Sequence, residues 1–242
     1  MNAIQIERLT KRYGDVTAVD NLTLTVKEGE LMALLGVNGA GKTTTVKMLS
    51  CLTAPTSGDA LLMGHSIIRE PAAVKSLIAV SPQETAVAPG LTVRENLGLI
   101  CGVHGFSKEK REAGLRKMTE LFDLSSVLDR RAGKLSGGWQ RRVSIAMALI
   151  SNPKILFLDE PTLGLDVLAR RDLWGILRSL KGKVTILLTT HYMEEAEALS
   201  DRIAIVRDGG LLTCDTATAL KNATDADTFE QAFVRIVKGG SE

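Results

Sequence analysis

The stretch Glu30-Leu31-Met32-Ala33-Leu34-Leu35-Gly36-Val37-Asn38-Gly39-Ala40-Gly41-Lys42-Thr43-Thr44-Thr45-Val46-Lys47-Met48-Leu49 decides the fold. Its first six residues form a short apolar run that reads as a buried strand, and its last seven set Val46 and Leu49 on one face of a helix. Between them, Gly36 to Thr43 fits the pattern G-x-x-x-x-G-K-[ST]. Strand, glycine-rich turn and helix together make a phosphate cradle. The glycines let backbone N–H groups converge on an anion, and the helix N-terminus adds partial positive charge. Gly36, Val37, Asn38, Gly39, Ala40, Gly41, Lys42, Thr43 and Thr44 are therefore candidate nucleotide-binding residues. Lys42 is placed to reach the β- and γ-phosphates, and the Thr43 hydroxyl to coordinate Mg²⁺. The Lys42 ammonium is expected to be exposed in the free protein.

Outward from this unit, the chain changes character twice. Ile4 to Leu9 and Leu22 to Val26 alternate like half-buried strands, and with Leu61-Leu62-Met63 they suggest a small antiparallel sheet beside the loop. Ile78-Ala79-Val80 reads as a buried strand leading to Ser81-Pro82-Gln83. From Thr92 to about Ile150 the patterns are helical, opening on a capping box at Thr92 and Glu95 and continuing through Leu115, Met118, Leu121 and Phe122. Strands return as Ile155–Leu158, Val184–Leu188 and Ile203–Val206, apolar runs without alternation that mark central parallel strands covered on both faces. Helices over about Leu168 to Leu180 and Met193 to Leu199 separate them, Asp208-Gly209-Gly210 signals a turn, and an amphipathic helix over about Thr228 to Val237 follows.

The 242 residues suffice for one large domain or two joined lobes, and 45% hydrophobic content suits an α/β protein. A net charge of only +2, with pairs such as Arg130-Arg131, Arg141-Arg142 and Arg170-Arg171 scattered, reads as solvated faces and not as a nucleic-acid-binding stripe. Cys51, Cys101 and Cys214 show no metal or disulfide spacing and suggest a reducing compartment. No apolar stretch approaches a membrane span, and Met1-Asn2-Ala3-Ile4 does not open a signal peptide, so a cytoplasmic chain is expected.

Two further segments carry chemistry. The strand Ile155–Leu158 ends in Asp159-Glu160. A carboxylate at that edge is well placed to hold Mg²⁺, directly or through water, and the next acid to polarise an attacking water. Leu135-Ser136-Gly137-Gly138 opens a helix with an N-cap hydroxyl and bare backbone N–H groups, a second anion-binding terminus. Two phosphate sites in separate lobes suggest that the second serves another molecule's nucleotide.

The ordered series of phosphate loop, Gln83, Leu135-Ser136-Gly137-Gly138, Asp159-Glu160, Gly164-Leu165-Asp166 and His191 resembles the ATP-binding cassette ATPase subunit of a transporter over nearly the whole chain. The long separation of Lys42 from Asp159 leaves room for that family's helical lobe. The resemblance implies an α/β P-loop NTPase core over about residues 1–84 and 154–242, an antiparallel β lobe, and an inserted helical subdomain over about 85–153. It implies Mg²⁺-dependent ATP hydrolysis with Glu160, His191 and Lys42 as catalytic residues, and Thr43, Gln83 and Asp159 around the metal. Tyr13 matches the aromatic that stacks on adenine. Ser136, Gly137, Gly138 and Asp166 match residues that meet the opposite subunit's nucleotide in a head-to-tail pair.

Two residues depart from the family pattern: Trp139 where Gln, Met or Glu is commoner, and Leu163 where a small polar residue is usual. Thr190 to Arg202 looks most like the exporter branch that includes drug, antibiotic and polysaccharide systems. The end of the chain soon after its last helix points the same way, because the extra regulatory domain of many importers is then absent. The implied partners are ATP, a second nucleotide-binding domain, and an integral-membrane subunit on a separate polypeptide, which would hold the chain at the inner face of the cell membrane. A soluble ATPase of the same family acting as a mechanical regulator is the alternative.

Overall fold

The computed structural model describes residues 1–239; Gly240, Ser241 and Glu242, the end of the expected core segment, lie outside the described residues. β1 (Asn2–Tyr13) and β2 (Val16–Lys27) form a long antiparallel ribbon. β3 (Leu31–Leu35) leads through the glycine-rich loop into α1 (Lys42–Leu49). β4 (Ser57–Leu62) and the two-residue β5 (His65–Ser66) complete a four-stranded antiparallel sheet of order β2-β1-β4-β5. The small sheet expected beside the loop is therefore present, and Met63 turns out of it with φ +48°.

The second sheet has six strands. β6 (Ile78–Ser81), β7 (Ile155–Asp159), β8 (Thr185–Thr190) and β9 (Arg202–Arg207) join β3 and β10 (Gly210–Asp215) in the order β10-β9-β3-β8-β7-β6. All neighbours are parallel except β10, which returns antiparallel to β9. Its turn has φ +50° at Asp208 and +82° at Gly209, the paired left-handed geometry that Asp-Gly favours in two-residue hairpins.

The continuous apolar runs have a physical cause. Leu31, Ala33 and Leu35 face one hydrophobic core, and Met32 and Leu34 face the other. Leu156 and Leu158 likewise oppose Ile155 and Phe157. The first core is closed by helices, the second by α1 and the antiparallel sheet, so neither face of the central strands reaches water.

Between β6 and β7 the described elements are helical: α3 (Val93–Val103), α4 (Lys108–Leu121), two short 3₁₀ turns, and α5 (Gly137–Leu149). The capping box is formed. Thr92 Oγ1 accepts from the Glu95 N–H at 3.2 Å, and Glu95 accepts from the Thr92 N–H at 2.7 Å. Beyond β7 come α6 (Val167–Leu180) and α7 (Met193–Leu199), then α8 (Ala217–Ala223) and α9 (Phe229–Gly239). Two helices carried no periodic signal. α2 (Pro71–Leu77) and α8 bury Val74 and Leu220 respectively and little else, too few anchors to repeat.

Within the antiparallel sheet, glycine permits the pairing of β4 with β1 at one tight point. Gly58 has φ +76°, and a Cβ there would lie 2.2 Å from the Arg8 carbonyl oxygen. Gly64 has φ +87° but nothing within 4 Å of its would-be Cβ. Gly64→Ala should therefore cost only the left-handed penalty of about 1–2 kcal/mol. Gly58→Ala should cost clearly more, because β4 must also move away from β1. Urea denaturation of both variants checks this; equal midpoints would contradict it.

Candidate functional site

Parallel strands present their C-terminal ends on one edge, and that is where open α/β sheets bind ligands. Here β3 delivers Gly36, β6 delivers Gln83, β7 delivers Asp159 and Glu160, and β8 delivers Thr190 and His191. A cleft of about 560 Å³ opens at this edge, lined by Tyr13, Ala18, Asn38 to Thr44, Gln83, Glu160, Leu163 and His191. Ala18 and Leu163 were not among the residues expected to line it. Gly36 lies beneath the cleft, where a Cβ would stand 2.4 Å from the Val206 carbonyl oxygen. Gly41 has φ +93°, and its Cβ would stand 2.3 Å from the Ala18 carbonyl oxygen. The loop can keep this path only with glycine at both places.

The expectation of an exposed Lys42 is corrected. Lys42 is 6% exposed, and its ammonium donates to the carbonyls of Gly36 at 2.7 Å and Val37 at 3.2 Å. Glu160 Oε1 lies 3.4 Å away and completes the shell. A buried ammonium must be paired in this way or its desolvation goes uncompensated. Removing Lys42 therefore disturbs the loop as well as the ligand site.

Glu160 sits at φ +48°, an unusual conformation for a residue with a side chain. Thr189 secures it, since both its carbonyl and its hydroxyl accept from the Glu160 N–H at 3.1 Å. This twist turns the Glu160 carboxylate into the cleft, where Oε2 meets His191 Nδ1 at 2.8 Å. The His191 ring stacks obliquely on Tyr192, centroids 4.1 Å apart. Asp159, 5% exposed, accepts at Oδ1 from the Thr43 hydroxyl at 3.2 Å and from the Thr189 hydroxyl. Thr189 thus holds both acids, a role its place in an ordinary-looking Thr-Thr strand end did not reveal.

Tyr13 ends β1 half exposed, with Lys11 Nζ 5.0 Å from its ring centroid. Gln83 is exposed, and the segment around it is tied to α5 by Arg141, whose guanidinium donates to the Pro82 carbonyl at 2.7 Å and to the Gln83 carbonyl. Burial lowers the Arg141 pKa, and Asp159 and Glu195 pull it back upward. The expectation of a solvated Arg141-Arg142 face is thus corrected for Arg141, which is buried on the inner side of α5.

Some expected residues are not brought to this cleft. Ser136 and Gly137 are exposed at the start of α5, and neither they nor Gly138 line it. Ser136 is the N-cap by backbone conformation, but its hydroxyl makes no capping bond, contrary to expectation, so the terminus keeps its donors free. Asp166 is spent locally, capping α6 by accepting from the Ala169 N–H at 2.9 Å.

The residues present suit a Mg²⁺ ion. Thr43 and Asp159 offer hard oxygen atoms side by side at the loop, and Mg²⁺ with a nucleotide is commonly held by one or two such ligands plus phosphate. Among the described residues no cluster of three or more His, Cys, Asp or Glu could hold a metal alone, so phosphate would have to supply ligands.

The family model described as "ABC transporter" matches residues 19–163. The chain belongs to the ABC transporter family. It is 40% identical to the doxorubicin resistance ATP-binding protein DrrA of Mycobacterium tuberculosis (strain ATCC 25618 / H37Rv) over 239 residues, covering 98% of this chain and 72% of that protein. It is 43% identical to the Nod factor export ATP-binding protein I of Paraburkholderia xenovorans (strain LB400), covering 90% and 72%. The fold matches a solved ATP-binding subunit of an ABC transporter with a TM-score of 0.86 at 28% identity, over 97% of this chain and 99% of that one. It also matches a dimeric, post-hydrolysis ATP-binding cassette bound to ADP and Pi, with a TM-score of 0.78 at 27% identity over 88% and 98%. This cassette is an ATP hydrolase of the kind that powers a transporter. No helix among the described residues is long and apolar enough to cross a membrane.

Thr189→Val keeps the shape of the strand but removes the hydroxyl shared by Asp159 and Glu160. Loss of a bond to a charged group should lower stability by about 1.5–3 kcal/mol in urea. ATP turnover should then require more Mg²⁺ for half-saturation, while binding of ATP without divalent cation stays unchanged. Parental Mg²⁺ dependence would show that Thr189 does not set Asp159.

Proposed function

We propose that this cassette hydrolyses Mg·ATP at a site shared by two nucleotide-binding domains in head-to-tail contact, and that hydrolysis drives an exporter. The observation that carries the reading is Glu160, twisted into the cleft between Lys42 and His191. The domain reading goes with it: a core of about residues 1–84 and 154–242, and a helical lobe of about 85–153 that carries Ser136 to Gly138.

In the proposed cycle Tyr13 stacks on the adenine. Backbone N–H groups of Gly39 to Thr44 surround the phosphates, and Lys42 leaves the Gly36 and Val37 carbonyls for the more negative phosphate oxygens. That exchange releases Glu160 from its ammonium partner. Glu160 then accepts a proton from water as the water oxygen bonds to the γ-phosphorus and the bond to the ADP oxygen breaks. His191, held against Glu160, faces the same phosphate. Thr43, Asp159 and Gln83 would hold Mg²⁺, whose chemistry is to neutralise phosphate charge. Most of the catalysis is positioning and charge stabilisation.

Ser136 and Gly137 are exposed, Gly138 is half-buried, and none of the three lines its own chain's cleft, which supports their service as an anion-binding terminus to a second chain's γ-phosphate. Asp166 is proposed to lie near the same seam. The closed pair then exists while the γ-phosphate bridges it and opens on hydrolysis. Relatives named for doxorubicin and daunorubicin resistance and for Nod factor export support the exporter reading. The partner subunit would be an integral-membrane protein on a separate polypeptide, holding this chain at the cytoplasmic face where ATP is found.

Glu160→Gln tests the reading. Loss of the general base should slow turnover by about 10²–10⁴-fold. Mg·ATP should still bind, and gel filtration should reveal a nucleotide-dependent dimer much stronger than that of the unmodified chain. Asp159→Asn should fail to trap that dimer. Retained turnover in Glu160→Gln would remove the proposed base; lost turnover without a dimer would remove the head-to-tail mechanism.

A further inference from the structure

Glu195 on α7 is fully buried, and the cycle above does not use it. Its Oε1 accepts from the Trp174 indole N–H on α6 at 3.2 Å. The hydroxyls of Thr190 and Thr162 face the same carboxyl. Thr162 Oγ1 and Glu195 Oε2 are nonetheless buried without a formed hydrogen bond. Two adjacent unpaired polar atoms are a matched donor and acceptor in waiting, and each unmade bond in a dry site is costly.

The partners are informative because of what else they hold. Thr190 Oγ1 accepts from the Tyr192 N–H at 3.0 Å, so its own proton is free for Glu195. Thr190 and Tyr192 are the two neighbours of His191. Thr162 lies in the turn that follows Glu160, where the Leu163 N–H donates to the Glu160 carbonyl at 3.2 Å and the Leu165 N–H to the Thr162 carbonyl at 3.1 Å. One carboxyl therefore faces Thr190 on one flank of His191, and through its hydroxyl the Tyr192 N–H on the other, faces Thr162 in the turn after Glu160, and bonds Trp174 on α6.

We propose that Glu195 is a positioning residue for hydrolysis: its buried carboxyl ties the segment carrying His191 to the segment carrying Glu160 and fixes the contact between them. The proposal rests on the roles assigned to Glu160 and His191 above. Glu195 itself is closed off from solvent and does not line the cleft.

The surroundings favour the neutral form of this carboxyl more than water would. Burial raises its pKa, and the nearby Glu160 charge raises it further, against the hydrogen bonds from Thr190, Thr162 and Trp174. The surrounding elements supply few opposing charges. β3 and β8 carry none, α5 contributes Arg141, α6 has Arg170 over the Tyr192 ring and Arg178 donating to the Ala198 carbonyl, and Glu230 opens α9. Ionised, the carboxyl can accept from all three groups; protonated, it can donate through O–H to Thr162 and still accept from Trp174 and Thr190. Glutamine can replace that pattern, since its amide also donates and accepts; alanine cannot.

The test compares Glu195→Gln, Glu195→Ala and Thr190→Val in the full chain, with Glu160→Gln and His191→Ala alongside. Glu195→Gln should keep turnover at saturating Mg·ATP within about threefold of the parent, and Glu195→Ala should lose about tenfold or more with KM changed less than about twofold. The His191 imidazole nitrogen resonances should move in Glu195→Ala and Thr190→Val but not in Glu195→Gln. Linkage fixes a further sign. A raised acid pKa stabilises the fold fully at low pH and progressively less as pH rises, so the melting advantage of Glu195→Gln should grow from about pH 5 to about pH 8.

Gln as damaging as Ala, a shrinking melting advantage, or Glu195→Ala with parental turnover and an unmoved His191 would each overturn the proposal. If Glu195→Ala does not fold, Thr190→Val decides, and parental behaviour there overturns it. If Glu160→Gln and His191→Ala leave turnover intact, the assigned roles fail, whereas the His191 resonances still report whether Glu195 positions that ring.

Discussion

The Lys42 ammonium is buried among the Gly36 and Val37 carbonyls and the Glu160 carboxylate. A charge so placed is tolerable only while its partners stay put, which makes the loop, the end of β7 and the cleft mutually dependent. Gly36 must press against Val206 and Gly41 against Ala18 for the loop to present those carbonyls. Glu160 must hold its left-handed backbone for its carboxylate to reach in. Phosphate oxygens are the natural competitors for the same ammonium. In the proposed cycle ATP takes over a partner set that already exists, and the group it displaces is the one that hydrolysis needs.

Threonines at the end of β8 extend this dependence through the sheet. Thr189 serves Asp159 and Glu160, and Thr190 serves Tyr192 and faces Glu195. Arg141 carries it into the helical region by gripping the backbone around Gln83. Movement of α5, whose N-cap is Ser136, is thereby felt at the edge of the cleft. A parallel sheet with both faces buried is a stiff base for such couplings, since its strands have no solvent face on which to relax.

Much of this was legible because its causes are local. The glycine-rich loop needs its residue types in sequence order, and the central strands lack alternation because helices and a second sheet cover both faces. The capping box at Thr92 and the Asp208-Gly209 turn are likewise local chemistry. β1 was read short because the register slips between Ile6 and Leu9 and again before Lys11, with Arg8 at φ +48°, and a bulge breaks the alternation by which strands are recognised. The burial of Lys42 departs from expectation because one of its partners, Glu160, lies far away in the chain. The Ser136 hydroxyl was expected to cap its helix and does not. Thr189, Arg141 and Glu195 carried no signal at all, since a threonine in a strand or a charge on a helix becomes informative only when its partners are known.

The claim on which the account stands is that one nucleotide site is built from two chains. Mixing Lys42→Ala chains with Ser136→Arg chains, each inactive alone, tests it most directly, because a mixed pair contains one site with an intact loop and an intact opposing helix terminus. ATP hydrolysis should reappear in the mixture and rise with total protein concentration. A mixture as inactive as its components, or Ser136→Arg chains that hydrolyse ATP at the parental rate alone, would contradict it.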